Sequence, residues 1–236
     1  MSADVIDHVI EGDFSPMLTI TLDPGEAVQA EAGTMVLMDP DIEMTTEMPG
    51  GFFGAIMRKV SGESLFLTFF ANTGSRRQDV SFASPMPGQI KAVDLKAEGG
   101  EFFCQRRAYL ASARGVNVTI ALTKRLTSGL FGGEGLILQK LEGDGMCFIA
   151  AGGTLVERVL RAGEKVTVAT GSLVGFSASC DYDISFQRGI RNMVFGGEGL
   201  FVTHVTGPGR IMVQTQPIAE LALALHALVP KESRDE

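Results

Sequence analysis

Tryptophan is absent from this sequence and tyrosine occurs twice, so 15 phenylalanines supply nearly all of its aromatic packing. Cysteine is scarce too. Cys104, Cys147 and Cys180 are widely spaced in apolar surroundings, with no Cys-x-x-Cys pair to hold zinc or run dithiol chemistry. They read as small buried hydrophobes in a reducing compartment. The three histidines, His8, His204 and His226, form no His-x-His pair with a neighbouring carboxylate, so no metal is expected. There is no Gly-x-Ser-x-Gly elbow and no Walker spacing; hence no catalytic residue and no cofactor are expected. No apolar run approaches the ~20 residues of a membrane helix. The opening MSADVIDHVIEGDF is acidic where a targeting peptide is basic, so the expected setting is cytoplasmic. Basic residues are outnumbered, 20 against 28 acidic, for a net charge of -8. That balance disfavours a nucleic acid partner.

What is present is repetition. Gly-Glu-x-Leu occurs at Gly62-Glu63-Ser64-Leu65, Gly133-Glu134-Gly135-Leu136 and Gly197-Glu198-Gly199-Leu200, each followed at the same distance by a glycine: Gly74, Gly145 and Gly209. A second signature precedes each copy. Gly25-Glu26 leads to Gly33-Thr34-Met35-Val36, Gly163-Glu164 leads to Gly171-Ser172-Leu173-Val174, and Gly100-Glu101 leads at the same offset to Ala108-Tyr109-Leu110-Ala111. The expected organisation is one domain of three repeats, 14–87, 88–152 and 153–216, followed by a helix over 217–230.

The local grammar is that of strands. Met17–Leu22 and Val116–Ile120 alternate apolar with polar, the period of a half-buried strand. Leu136–Leu141 and Met146–Ala150 flank Glu142-Gly143-Asp144-Gly145, which predicts a β-hairpin. Thr206-Gly207-Pro208-Gly209 and Ala71-Asn72-Thr73-Gly74 predict the same in the other copies. The fold class is therefore all-β: three tandem β-sandwich or hairpin-rich repeats sharing one core in a pseudo-threefold body. Ile218, Leu221, Ala222, Leu225 and Leu228 recur at helical spacing before Pro230, predicting an amphipathic helix that plugs the end of that body. Strand-dense repeats leave edges, and pairing between chains covers edges, so a homo-oligomer, a trimer or larger ring, is expected.

Ala32-Gly33-Thr34-Met35, Gly62-Glu63-Ser64-Leu65-Phe66, Phe131-Gly132-Gly133-Glu134-Gly135-Leu136 and Thr206-Gly207-Pro208-Gly209-Arg210 resemble the altered-inheritance-of-mitochondria family. Its eukaryotic members are tied to mitochondrial biogenesis. The resemblance implies a fold similar to the tryptophan RNA-binding attenuation protein, tandemly duplicated in ring-like assemblies, and no established catalytic residue. One departure is visible: a tryptophan expected near Thr206–Gly209 is missing, with Met212 in its neighbourhood.

Two sets of residues are candidates for chemistry. Glu63, Glu134 and Glu198 recur in every copy, either as carboxylates bonded across a turn or as an axial cation site. Arg58 and Lys59, Lys124 and Arg125, and Arg188 and Arg191 precede them as repeated positive charge. They are either solvated ion-pairing residues or contacts for anionic lipid or another polyanion. His204 aligns with Phe69 and Lys140 in the other copies, which marks a face boundary rather than a site. The expected function is a non-enzymatic oligomeric scaffold or assembly protein, with protein partners or an anionic membrane surface. The alternative is a small-ligand, anion or anionic-lipid-binding module. RNA binding and an unrecognised enzyme rank below both.

Overall fold

The structure, a computed structural model, describes residues 2–47, 67–121, 136–187 and 200–229. Among these, strand β1 (Asp7–Glu11) precedes three consecutive stretches of six strands. The first contains β2 (Met17–Leu22), β3 (Ala27–Glu31), β4 (Met35–Met38), β5 (Ile42–Glu47), β6 (Leu67–Asn72) and β7 (Gln78–Ala83). The second contains β8 (Gly88–Asp94), β9 (Glu101–Gln105), β10 (Tyr109–Ala113), β11 (Asn117–Ala121), β12 (Leu138–Glu142) and β13 (Met146–Gly152). The third contains β14 (Leu155–Leu160), β15 (Lys165–Ala169), β16 (Leu173–Ser177), β17 (Asp181–Gln187), β18 (Leu200–Thr206) and β19 (Gly209–Gln214). Helix α1 (Ile218–Ala227) follows. The chain is an all-β protein with one C-terminal helix.

Four antiparallel ladders occur in each stretch, between strands in corresponding places. In the first they are β2·β7, β4·β7, β3·β6 and β5·β6. In the second they are β8·β13, β10·β13, β9·β12 and β11·β12. In the third they are β14·β19, β16·β19, β15·β18 and β17·β18. Even the register irregularities correspond: a bulge falls between Met35 and Leu37, between Tyr109 and Ala111, and between Leu173 and Gly175.

Two further ladders tie one stretch to the next, β3·β10 and β9·β16. Each fuses three strands of one stretch with three of the next. The results are the six-stranded sheets β5-β6-β3-β10-β13-β8 and β11-β12-β9-β16-β19-β14. At the two ends stand unfused sheets, β1-β2-β7-β4 and β15-β18-β17. The core follows this construction. Its larger cluster runs from Leu18, Phe70 and Phe82 through Phe102 and Phe148 to Val174 and Met212, and so spans all three stretches. Each fully buried phenylalanine contributes roughly 1.5–3 kcal/mol of transfer free energy. A smaller cluster around Leu138, Phe176 and Ile211 joins the second stretch to the third.

The expected hairpins are not hairpins. Strand β12 pairs with β9 and β11, whereas β13 pairs with β8 and β10, so the turn at 142–145 carries the chain from one sheet to another. The β6-to-β7 and β18-to-β19 turns do the same. The cause is burial. Strand β13 is buried from Cys147 to Gly152 on both faces, which packed layers supply and a lone two-stranded ribbon does not. Gly145 is needed there for space: a Cβ on it would lie 2.5 Å from the Cβ of Ala3.

Two other differences have local reasons. The residue that sets the turn before β9 is Gly99, at φ +83°, matching Gly25 at +87° before β3 and Gly163 at +75° before β15. The alignment through Gly100-Glu101 is thus one residue out of frame, because Gly99 and Gly100 are adjacent and both take positive φ. Helix α1 does not plug the body: none of its residues is buried, and Leu223 and Leu225 face solvent.

Candidate functional site

The sequence-nominated residues come first. Arg58, Lys59, Glu63, Lys124, Arg125, Glu134, Arg188, Arg191 and Glu198 all lie outside the described residues. Each cluster falls in the chain that joins two paired strands, β5 to β6, β11 to β12 and β17 to β18.

The rung holding Phe69, Lys140 and His204 is described. These residues sit opposite Gln29, Phe103 and Thr167 in three corresponding ladders. Lys140 is clamped by Glu101 at 2.9 Å and Glu142 at 2.8 Å; hydrogen bonds to Glu142 and then Glu101 raise its pKa. Both ring nitrogens of His204 are engaged, Nδ1 with Thr167 Oγ1 and Nε2 with Ser185 Oγ, each at 2.9 Å. These two hydroxyls, from the strands on either side, hold the imidazole in place.

The interior carries reactive groups in a form that suits packing. Burial pushes the thiols of Cys104 and Cys147 and the phenol of Tyr109 upward, so all three stay protonated at neutral pH. The Tyr109 hydroxyl lies 3.1 Å from the Gln29 carbonyl and 2.9 Å from Ser112 Oγ. Burial also raises Glu31, opposed by the positive charge of Arg106, and its Oε2 is buried without a hydrogen-bond partner. Gln139 is fully buried with neither amide atom bonded. Among the described residues, no group of three or more His, Cys, Asp or Glu is placed to hold a metal ion.

Arg210, from the Thr-Gly-Pro-Gly-Arg segment, has a structural assignment that sequence reasoning missed. Its guanidinium bonds Glu98 through Nη2 and reaches Glu157 at 3.4 Å through Nη1, while lying 5.9 Å from the centre of the Phe102 ring. Ser177 Oγ donates to the other Glu98 oxygen at 2.6 Å and accepts the Arg210 backbone N–H at 3.0 Å. Lys91 completes the set, 3.1 Å from Glu157. Beside it opens a groove of about 430 Å³ reaching Ile10, Asp13, Gln89, Lys91, Leu155 and Glu157.

The most unusual surface is strand β4. It reads Met-Val-Leu-Met and is 36–53% exposed at every position. Its counterparts β10, Tyr-Leu-Ala-Ser-Ala, and β16, Leu-Val-Gly-Phe-Ser, are buried throughout. The difference follows from topology: β10 lies against β3 and β16 against β9, whereas among the described residues β4 pairs with β7 alone. At the other end β15 pairs, among the described residues, with β18 alone, while its counterparts β3 and β9 each have a second neighbour. Edge strands β1, β5, β8, β14 and β17 carry charged residues, the usual guard against unwanted pairing, and β11, which has none, places exposed Asn117 and Thr119 on its outer face instead. Strand β4 has neither charged nor polar residues. In the sequence its four apolar residues look like any buried strand, and only the topology reveals the missing neighbour.

Fold and surface together define a β-sheet protein whose distinctive surface is an apolar strand edge. No helix among the described residues is long and apolar enough to cross a membrane. The chain matches the family described as "Mitochondrial biogenesis AIM24" over residues 8–216, and belongs to it. It is 28% identical over 226 residues to an uncharacterized protein of Streptococcus pyogenes serotype M6, covering 92% of this chain and 88% of that protein. A Streptococcus pyogenes protein solved by X-ray crystallography is similar in structure, with a TM-score of 0.77 and 26% identity, over 95% of this chain and all of the other.

Proposed function

We propose that this protein is a non-enzymatic assembly subunit, three copies of one six-strand unit around a pseudo-threefold centre, that works in the cytoplasm through its sheet edges. The observation that carries the reading is strand β4, apolar and exposed where both counterparts are buried. Exposed apolar edges without charged guards are sites of association. The corresponding ladders support the triplicated unit, and three free buried cysteines fit a reducing compartment. The test is native mass spectrometry of the full chain, which reports subunit number and retained ligand together. A multimer without a bound small molecule is the expected result. A monomer at tens of micromolar, or a stoichiometric ligand, overturns it.

A second reading is binding to an anionic surface. It is favoured by the placement of Arg58 and Lys59, Lys124 and Arg125, and Arg188 and Arg191 in three corresponding strand-to-strand connections. Co-sedimentation with anionic and neutral vesicles tests it. Equal recovery from both, or binding unchanged by Arg58→Glu with Lys59→Glu, ends this reading.

A further inference from the structure

We infer that β4 of one copy of this chain pairs antiparallel with β15 of another, in a register that the chain itself specifies. The inference rests on the assembly reading above and adds its partner and its geometry.

The two ladders between stretches obey one rule. The second strand of one stretch takes the third strand of the next: β3 takes β10, and β9 takes β16. Among the described residues two strands are left without such a neighbour, β15 in the third stretch and β4 in the first. The end sheets are correspondingly halves. Sheet β15-β18-β17 holds the same three places as β3-β6-β5, and β2-β7-β4 the same three as β8-β13-β10. Joined through β15 and β4, the two halves reproduce the six-stranded order found twice within the chain, with β1 added as a seventh strand beyond β2.

The register follows from corresponding rungs. Ala30 faces Ala111 and Cys104 faces Gly175; Gln29 faces Ser112 and Phe103 faces Phe176; Val28 faces Ala113 and Phe102 faces Ser177. Carried to the free edges, this places Val168 opposite Leu37, Thr167 opposite Met38 and Val166 opposite Asp39. The chemistry agrees. Val166 and Val168 are partly exposed apolar residues that meet an apolar edge, and Lys165 comes beside Asp39. The interface is heterologous, β4 on one copy against β15 on the next, so association closes as a ring or extends head to tail.

A charge swap on the central rung tests this. Met38 and Thr167 are both exposed, so Met38→Lys and Thr167→Glu each introduce a charge without burying it in the free subunit. Either variant alone buries an unpaired charge in the joint and is expected to run as a monomer in native mass spectrometry. An equimolar mixture is expected to regain association as heterodimers and even-numbered multimers in which the two variants alternate, because the ammonium introduced on β4 of one chain then meets the carboxylate introduced on β15 of the other and every second joint is wild-type. Rescue by mixing is a result that pairing within one chain cannot give. A multimer that survives both single substitutions, or two monomeric variants that fail to associate on mixing, overturns the inference and leaves the assembly reading standing. A monomeric wild-type protein removes both. Should Thr167→Glu lose its circular dichroism spectrum, Met38→Cys with Thr167→Cys, oxidised as a mixture of tagged and untagged chains, reads the same rung. Disulfide-linked pairs of unequal mass are expected, and a bond confined to single chains refutes the joint.

Discussion

Replacing Arg210 by methionine removes one guanidinium and keeps an aliphatic stem to cover Phe102. Two carboxylates lose a shared cation, but unequally. Glu157 keeps Lys91 at 3.1 Å, whereas Glu98, with 13% of its side chain exposed, keeps among the described residues only the Ser177 hydroxyl. Removing one partner from a fully buried ion pair costs about 3–5 kcal/mol. Arg210 is 21% exposed, so water screens part of the stranded charge, and the expected loss is about 2–3 kcal/mol. For a chain of this size that lowers Tm by roughly 5–10 °C. Urea unfolding followed by circular dichroism measures it directly. Adding Glu98→Gln removes the stranded charge and is expected to recover about 1 kcal/mol, which separates an electrostatic cause from lost packing. A single substitution within about 0.5 kcal/mol of wild type, the scale of an ordinary surface change, refutes the assignment of Arg210 as a stabilising bridge between the second and third stretches.

Three further outcomes are expected. Glu31 has its pKa raised by burial, so the folded state holds the proton more tightly than the unfolded chain. Its contribution is present in acid and is lost as pH rises through the raised value. Glu31→Gln should therefore raise the urea midpoint at pH 7 and leave it unchanged below the ordinary carboxylate range; a constant increment at every pH contradicts this. Gly88→Ala drives a Cβ into the Ala151 carbonyl oxygen and to 2.9 Å from Gly152 Cα, backbone atoms that cannot turn aside. Overpacking of this kind costs about 1–3 kcal/mol or more, visible as a lower thermal midpoint. Ending the chain at Pro217 removes a helix with no buried residue, and Tm is expected to stay within about 2 °C, the equivalent of a surface change.

Strands were legible from sequence wherever one face is wet. The alternation over Met17–Leu22 corresponds to β2, and Val116–Ile120 lies within a residue of β11. Partner choice was not legible, because Gly, Asp and Asn at a turn serve a hairpin and a crossing between sheets equally well. The run Met146–Ala150 lacks alternation because both of its faces are covered, and that was the available clue against a hairpin. The apolar spacing over Ile218–Leu228 specified a helix correctly but said nothing about what it would lie against. For β4 the limit is similar: exposure of Met35–Met38 is a property of an absent neighbour, and no residue within the strand encodes it.

Fusing halves of successive stretches into common sheets has a consequence for cooperativity. Leu155 follows Gly152 almost immediately, yet a cut there would sever neither a linker nor a boundary. Strand β9 would lose β16, and the sheet β11-β12-β9-β16-β19-β14 would be torn down its middle. Each fragment would carry one bare half of that sheet, β11-β12-β9 or β16-β19-β14, so melting is expected to proceed as one event, each stretch acting as the latch that keeps its neighbour closed.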